Sequence, residues 1–263
     1  MKICSLQPAT GPGFPGEVRR VDYESAVDGR RDWALLRPGA NRGLWIVVIH
    51  GHGSQGNQLF THEDIRKTWL PRFLATGAGL LTPNLRGNAW MGPAAAADLH
   101  ALLAWLRAEH GLRQTIFSSG SMGGTSNLIY GVLHPEDVGG IVARGAASDP
   151  ASYHDWCLPQ RDKGILQQIA QAIRESYGGA PGDAPAVYDR HSALRHADTL
   201  TMPVCLSHGG ADTVIPVSQS RALAERLNGR AHFSYKEIPG GNHDSPLRET
   251  GDFDRVLKTV RGE

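Results

Sequence analysis

The chain has 263 residues, 40% of them hydrophobic and 20% charged, a balance that excludes a disordered chain. Its 27 basic and 26 acidic side chains leave a net charge of +1, which gives nucleic acid or an anionic membrane no electrostatic hold on it. No apolar run approaches the roughly 18 residues of a membrane span, and Cys4, Cys157 and Cys205 form neither a disulfide framework nor a zinc spacing.

The N-terminal stretch is rich in Pro and Gly and has no apolar run of the kind a signal peptide needs, so the cytoplasm is the expected location. Residues 17–23 and 32–36 read as short strands joined through an Asp28-Gly29 turn. Residues 44–49 form a continuous apolar run, as in a strand buried on both faces, and end in His50-Gly51-His52-Gly53-Ser54. A helix is predicted over 63–75 and a strand over 79–85. The next helix, over 94–109, opens at Pro93 and closes at Gly111. A strand over 115–118, a helix over 122–133 and a strand over 138–144 follow. Residues 146–199 break the alternation, with a helix at 164–177 and a Gly/Pro-rich stretch at 178–185. The rhythm resumes with strands at 203–207 and 232–238 and helices at 217–227 and 253–260. Alternating strands and helices predict an α/β fold, a mainly parallel sheet with helices on both faces. We expect one domain over 1–263, with a cap-like insertion at about 146–199.

Three loops that follow predicted strands carry chemistry. Ser119-Gly120-Ser121-Met122-Gly123-Gly124 lies between a strand and a helix and fits the nucleophile elbow, a turn so tight that only small residues flank the serine. Ser119 stands where the usual pattern has glycine. His208-Gly209-Gly210-Ala211-Asp212 offers a carboxylate that could orient a histidine, although a turn or helix-capping aspartate is the ordinary reading of such a residue. Gly241-Asn242-His243 supplies an imidazole that can take and return a proton near neutral pH. The order Ser121, Asp212, His243, each after a strand, is the joint signal. Asp149, after the preceding strand, competes for the role of the acid.

With these loops and Asn84-Leu85-Arg86-Gly87, the sequence resembles the α/β-hydrolase superfamily, in its small esterase, prolyl-oligopeptidase-like or dienelactone-hydrolase-like branches. The resemblance implies an eight-stranded sheet and a Ser121–His243–Asp212 triad. It also implies an oxyanion hole made by the backbone N–H groups of Met122 and His52. The family often has Asp where this chain has Asn84. Arg86 reads as structural. Trp90, Met91, Tyr153 and Trp156 are candidate pocket residues, set against the plain alternative of partly buried apolar side chains.

Two other readings are set aside. Gly51-His52-Gly53-Ser54-Gln55-Gly56 matches a dinucleotide fingerprint, but the acidic residue it needs at the end of the next strand is absent. His50 and His52 lack the acidic metal ligand expected at Ser54, so no metal is expected, nor any cofactor. His62, His100, His110 and His134 are expected to face solvent, and His208 to support its loop. The expected activity is hydrolysis of a small-molecule carboxylic ester, with peptidase or thioesterase chemistry as alternatives on the same fold. A catalytically silent binding module is the alternative of another class. No nucleic-acid or membrane partner is expected, and oligomeric state is left open.

Overall fold

The computed structural model describes residues 1–263 apart from the side chain of Arg42. Nine strands form one sheet: β1 (Lys2–Pro8), β2 (Arg19–Glu24), β3 (Arg31–Arg37), β4 (Asn41–Val47), β5 (Ala78–Pro83), β6 (Gln114–Gly120), β7 (Gly140–Arg144), β8 (Val204–Gly209) and β9 (Phe233–Ile238). Their order is β1-β2-β3-β5-β4-β6-β7-β8-β9. The pairs from β1 through β5 along this order are antiparallel, and every pair from β5 onward is parallel.

The count of nine corrects the expected eight. The additional strand, β1, sits at the sheet edge, pairs only with β2 and has an irregular register between Ile3 and Ser5. Its half-exposed side chains leave little hydrophobic alternation to read. Lys2 at its start and Pro8 at its end are residues that blunt an exposed edge.

The central strands explain the unbroken apolar runs. In β4 and its continuation, Trp45, Val47 and Ile49 enter one core while Leu44, Ile46 and Val48 enter the other, so both faces of the strand are buried. The first core packs against α4 (Pro93–His110), α5 (Met122–Leu133) and α9 (Ser218–Leu227). The second packs against α1 (Gln58–Thr61), α2 (Glu63–Thr68), α3 (Leu70–Ala75) and α10 (Gly251–Arg261). The expected helix over 63–75 is therefore broken near Trp69. Pro71 lies in the first turn of α3 and has no N–H to continue the hydrogen-bond ladder from α2.

Residues 145–203 run outside the sheet as α6 (Pro150–Cys157), α7 (Gly164–Tyr177) and α8 (Pro185–Arg190). Their buried residues form a third cluster with Trp90, Met122 and Ile215, which seats this segment beside the loops after β6 and β8. Among the described residues, no helix is long and apolar enough to cross a membrane.

Candidate active site

Because β4, β6, β8 and β9 run parallel, the loops that follow them leave the sheet at one edge. Ser121 sits between β6 and α5 at φ 56° and ψ −129°, a conformation non-glycine residues hold only when their surroundings enforce it. Its N–H donates to Arg144 O at 2.8 Å, and its own carbonyl accepts from Thr125 N at 2.9 Å. Gly123 is required for close approach: a Cβ there would lie 2.0 Å from Ile49 O. Ser119, the departure from the usual glycine, is used. Its hydroxyl accepts the Ile49 N–H at 2.9 Å and donates to Asn127 Oδ1 at 3.2 Å, tying the end of β4 to the elbow.

The loops after β6, β8 and β9 bring three of the expected residues together. His243 Nε2 lies 2.8 Å from Ser121 Oγ, and His243 Nδ1 lies 2.7 Å from Asp212 Oδ2. An ionised carboxylate only accepts, so Nδ1 carries the imidazole proton and Nε2 turns its lone pair toward the serine hydroxyl. Burial works against the charge on Asp212, but hydrogen bonds from His208 and His243 and from the Val214 N–H outweigh it. The carboxyl is held well below the usual carboxylate range. Its Oδ1 accepts from Val214 N at 2.8 Å and Ile215 N at 3.0 Å. Asp149, the competing acid, is engaged elsewhere: it caps α6 through Ser152 N and accepts from Ser192 Oγ, both at 2.7 Å.

His208 supports its loop, as expected, and also reaches Asp212, a contact the motif reading missed. Fully buried, it places Nε2 2.9 Å from Ile215 O and 3.2 Å from Asp212 Oδ2. Its spacing of four residues before Asp212 was the available signal.

The loop after Ile49 is braced on several sides. His50 contacts Gly51 O and Asn84 O through its two ring nitrogens at 2.8 and 3.0 Å. Gly51 N–H donates to Gln58 Oε1 and Gly53 N–H to Asn88 Oδ1, both at 2.8 Å. Between them stands His52, whose Nδ1 accepts from Trp90 Nε1 at 3.2 Å. Burial, reinforced by the neighbouring His50 ring, pulls the His52 imidazole down to about 4. Met122 opens α5, where N–H groups have no acceptor within the helix.

Residues 84–91 explain the other departure. Leu85, Arg86, Trp90 and Met91 all have positive φ, between 45° and 64°. Arg86 holds this strained loop by donating to Asp98 (2.7 Å), Asp28 (2.8 Å) and Ser25 Oγ (2.8 Å). Asn84 Nδ2 donates to Asp32 Oδ1 at 2.9 Å, a bond an ionised aspartate at position 84 could not make. Of the candidate pocket residues, Trp90 and Tyr153 are fully buried with rings 5.4 Å apart, and Trp156 stacks on Tyr153 from a half-buried position. Met91 lies in the core beside the sheet and lines no exposed wall.

One group of possible metal ligands lies elsewhere. His100, His134, Glu136 and Asp137 place donor atoms within 4.8 Å of one another, so His100 and His134 do more than face solvent. Asp137 already accepts from Tyr130, Arg107 and His100. The two imidazoles stack at 4.3 Å and 17°, which keeps their in-plane lone pairs from converging on one ion.

No protein-family model matches the sequence. A 65-residue segment is 35% identical to esterase LipC of Mycobacterium tuberculosis, covering 24% of this chain and 16% of LipC. The structure is similar to FphF, a fluorophosphonate-binding serine hydrolase of Staphylococcus aureus, with a TM-score of 0.69 at 12% identity over 94% of this chain and 99% of FphF. It is also similar to MPT51 of M. tuberculosis, with a TM-score of 0.66 at 15% identity over 90% and 96% of the two chains. A puromycin-hydrolyzing peptidase of M. tuberculosis gives a TM-score of 0.63 at 19% identity over 92% of this chain, which spans only 38% of that peptidase. The chain has the α/β-hydrolase fold.

Proposed function

We propose that the protein is a serine hydrolase that cleaves carboxylic esters through Ser121, His243 and Asp212. The relay of contacts at 2.8 and 2.7 Å from Ser121 Oγ through His243 to buried Asp212 carries this reading. Ser121 Oγ attacks the ester carbonyl while His243 Nε2 takes its proton. Asp212 holds the imidazole in the required tautomer and stabilises the imidazolium that forms. The N–H groups of Met122 and His52 receive the developing oxyanion, a contribution of roughly 3 kcal/mol for each such donor. His243 then returns the proton to the departing alcohol, which leaves an acyl-Ser121. Water, activated by the same imidazole, releases the acid and restores the enzyme. No step needs a cofactor. The helices of residues 146–199 act as a cap beside this site within one domain.

The test is hydrolysis of p-nitrophenyl acetate by the wild type and by Ser121→Ala, paired with labelling by a fluorophosphonate. We expect wild-type turnover, a single label on Ser121 and a loss of about 10³-fold or more in the variant. Equal rates in the two proteins, or a label on another serine, would refute the assignment. No turnover and no label would favour a silent binding module. A p-nitroanilide substrate run alongside separates esterase from peptidase chemistry.

A further inference from the structure

Beside the loop that carries His52, a cleft of about 950 Å³ opens between α7, residues 28–30 and residues 86–94. Among the described residues that line it, the apolar ones are three alanines, Ala89, Ala94 and Ala172. Such walls offer no surface on which an acyl chain could be buried. Its charges cancel. Among its lining residues Arg86 pairs with Asp28, and Arg30 and Glu175 bring one charge of each sign.

What remains is uncharged hydrogen-bonding capacity. Gln171 donates to Glu175 through Nε2 at 2.7 Å, which leaves its amide oxygen as an acceptor. Asn88 uses its oxygen on Gly53 N–H, which leaves its NH2 as a donor. Gln168 brings both functions from the same exposed face of α7. His52, which lines the cleft, adds a donor. The Trp90 indole can only donate, so His52 Nδ1 must accept, and the neutral ring carries its hydrogen on Nε2.

We propose that this cleft binds the alcohol part of the substrate, and that this part is uncharged and rich in hydroxyl groups, so that the preferred esters are acylated sugars or polyols. Neutral walls that alternate amide donors and acceptors match hydroxyls, which both donate and accept. They would leave an aliphatic alcohol with unpaired polar groups around it. The inference rests on the hydrolase reading above.

Two measurements test it. The first is the ratio of kcat/KM for a monoacetylated methyl glucoside to that for p-nitrophenyl acetate, in the wild type and in the double variant Gln168→Leu/Gln171→Leu. Both side chains are exposed, whereas α7 is seated through Leu166, Ile169 and Ile173, so the variant keeps its fold. We expect the ratio to fall at least fivefold, mainly through KM for the glucoside. An unchanged ratio would overturn the proposal. The second is calorimetric titration of Ser121→Ala with the same glucoside at millimolar concentration, with and without the double substitution. Saturable binding weakened at least fivefold by the substitution supports the cleft assignment, and no binding overturns it. If Ser121→Ala proves as active as the wild type on p-nitrophenyl acetate, the hydrolase reading fails by itself, and the titration still decides the cleft.

Discussion

The hydroxyl of Ser119 accepts the backbone N–H of Ile49 across 70 residues of sequence, at 2.9 Å and fully buried. The bond joins the end of β4 to the turn that presents Ser121, and Asn127 shares the same hydroxyl. Ser119→Ala would leave a buried N–H and a buried amide oxygen short of a partner. We expect a loss of about 1–3 kcal/mol in unfolding free energy, read by urea denaturation at neutral pH. A loss below about 0.5 kcal/mol would mean that the strand end is held by other contacts.

Gly123→Ala is a harsher change. The new methyl would meet Ile49 O at 2.0 Å and Ser119 Cβ at 2.9 Å, and neither atom is the tip of a flexible side chain. The elbow must move if the chain is to fold. A cost of about 3 kcal/mol or more is expected, and any folded fraction should have lower kcat because Met122 N–H moves with the turn. Thermal unfolding and ester turnover on the same sample report both effects.

Asp212 links activity to acid stability. Its carboxyl titrates lower in the folded chain than its ordinary value of 3.8. The stability this contributes is present above that value and is lost as pH falls toward the folded one. Asp212→Asn should therefore show a shallower loss of stability below about pH 4 than the wild type, and a loss of about 10⁴-fold in kcat at pH 7. His208→Leu removes one of the donors that aim Asp212 and should lower kcat more than it changes KM. His208→Gln, which keeps a donor, should recover part of the loss. Equal kcat in the Leu and Gln variants would show that His208 acts through packing alone.

His191 titrates in the same sense, in a higher pH window. It is buried, donates Nδ1 to Val187 O at 2.7 Å, and has a buried Nε2 without a partner among the described residues. Burial pulls its imidazole from 6.5 down to about 4, against the bond to Val187. Between those values the unfolded chain takes up the proton first, so stability falls as pH drops from about 6.5 to 4. The slope from one such group is at most about 1.4 kcal/mol per pH unit. His191→Gln should flatten the profile of unfolding free energy over this window, and an identical slope in the variant would contradict the assignment.

Legibility followed periodicity. The α7 helix matches its predicted span, 164–177, because its apolar positions recur at helical spacing and Gly178 closes it at φ 82°. β1 carried no such signal, and a single proline divided the helix expected over 63–75. Within 146–199, α6 and α8 went unread because the apolar residues of such short helices do not complete a recognisable period. His100 read as solvent-facing because nothing local shows Asp137, 37 residues on, folding against it.

The sequence by itself determined the chain order Ser121, Asp212, His243 and placed each after a strand, since turn chemistry and buried apolar runs are local properties. Tertiary structure alone put Asp212, the acid the sequence favoured, 2.7 Å from His243, and left Asp149 capping a helix. It also set Ser121 against His243 over 122 residues, gave Ser119 its partner, and opened the polar cleft beside His52. Those contacts depend on parallel strands delivering their loops to one edge of the sheet, a consequence of strand order that no local run of residues encodes.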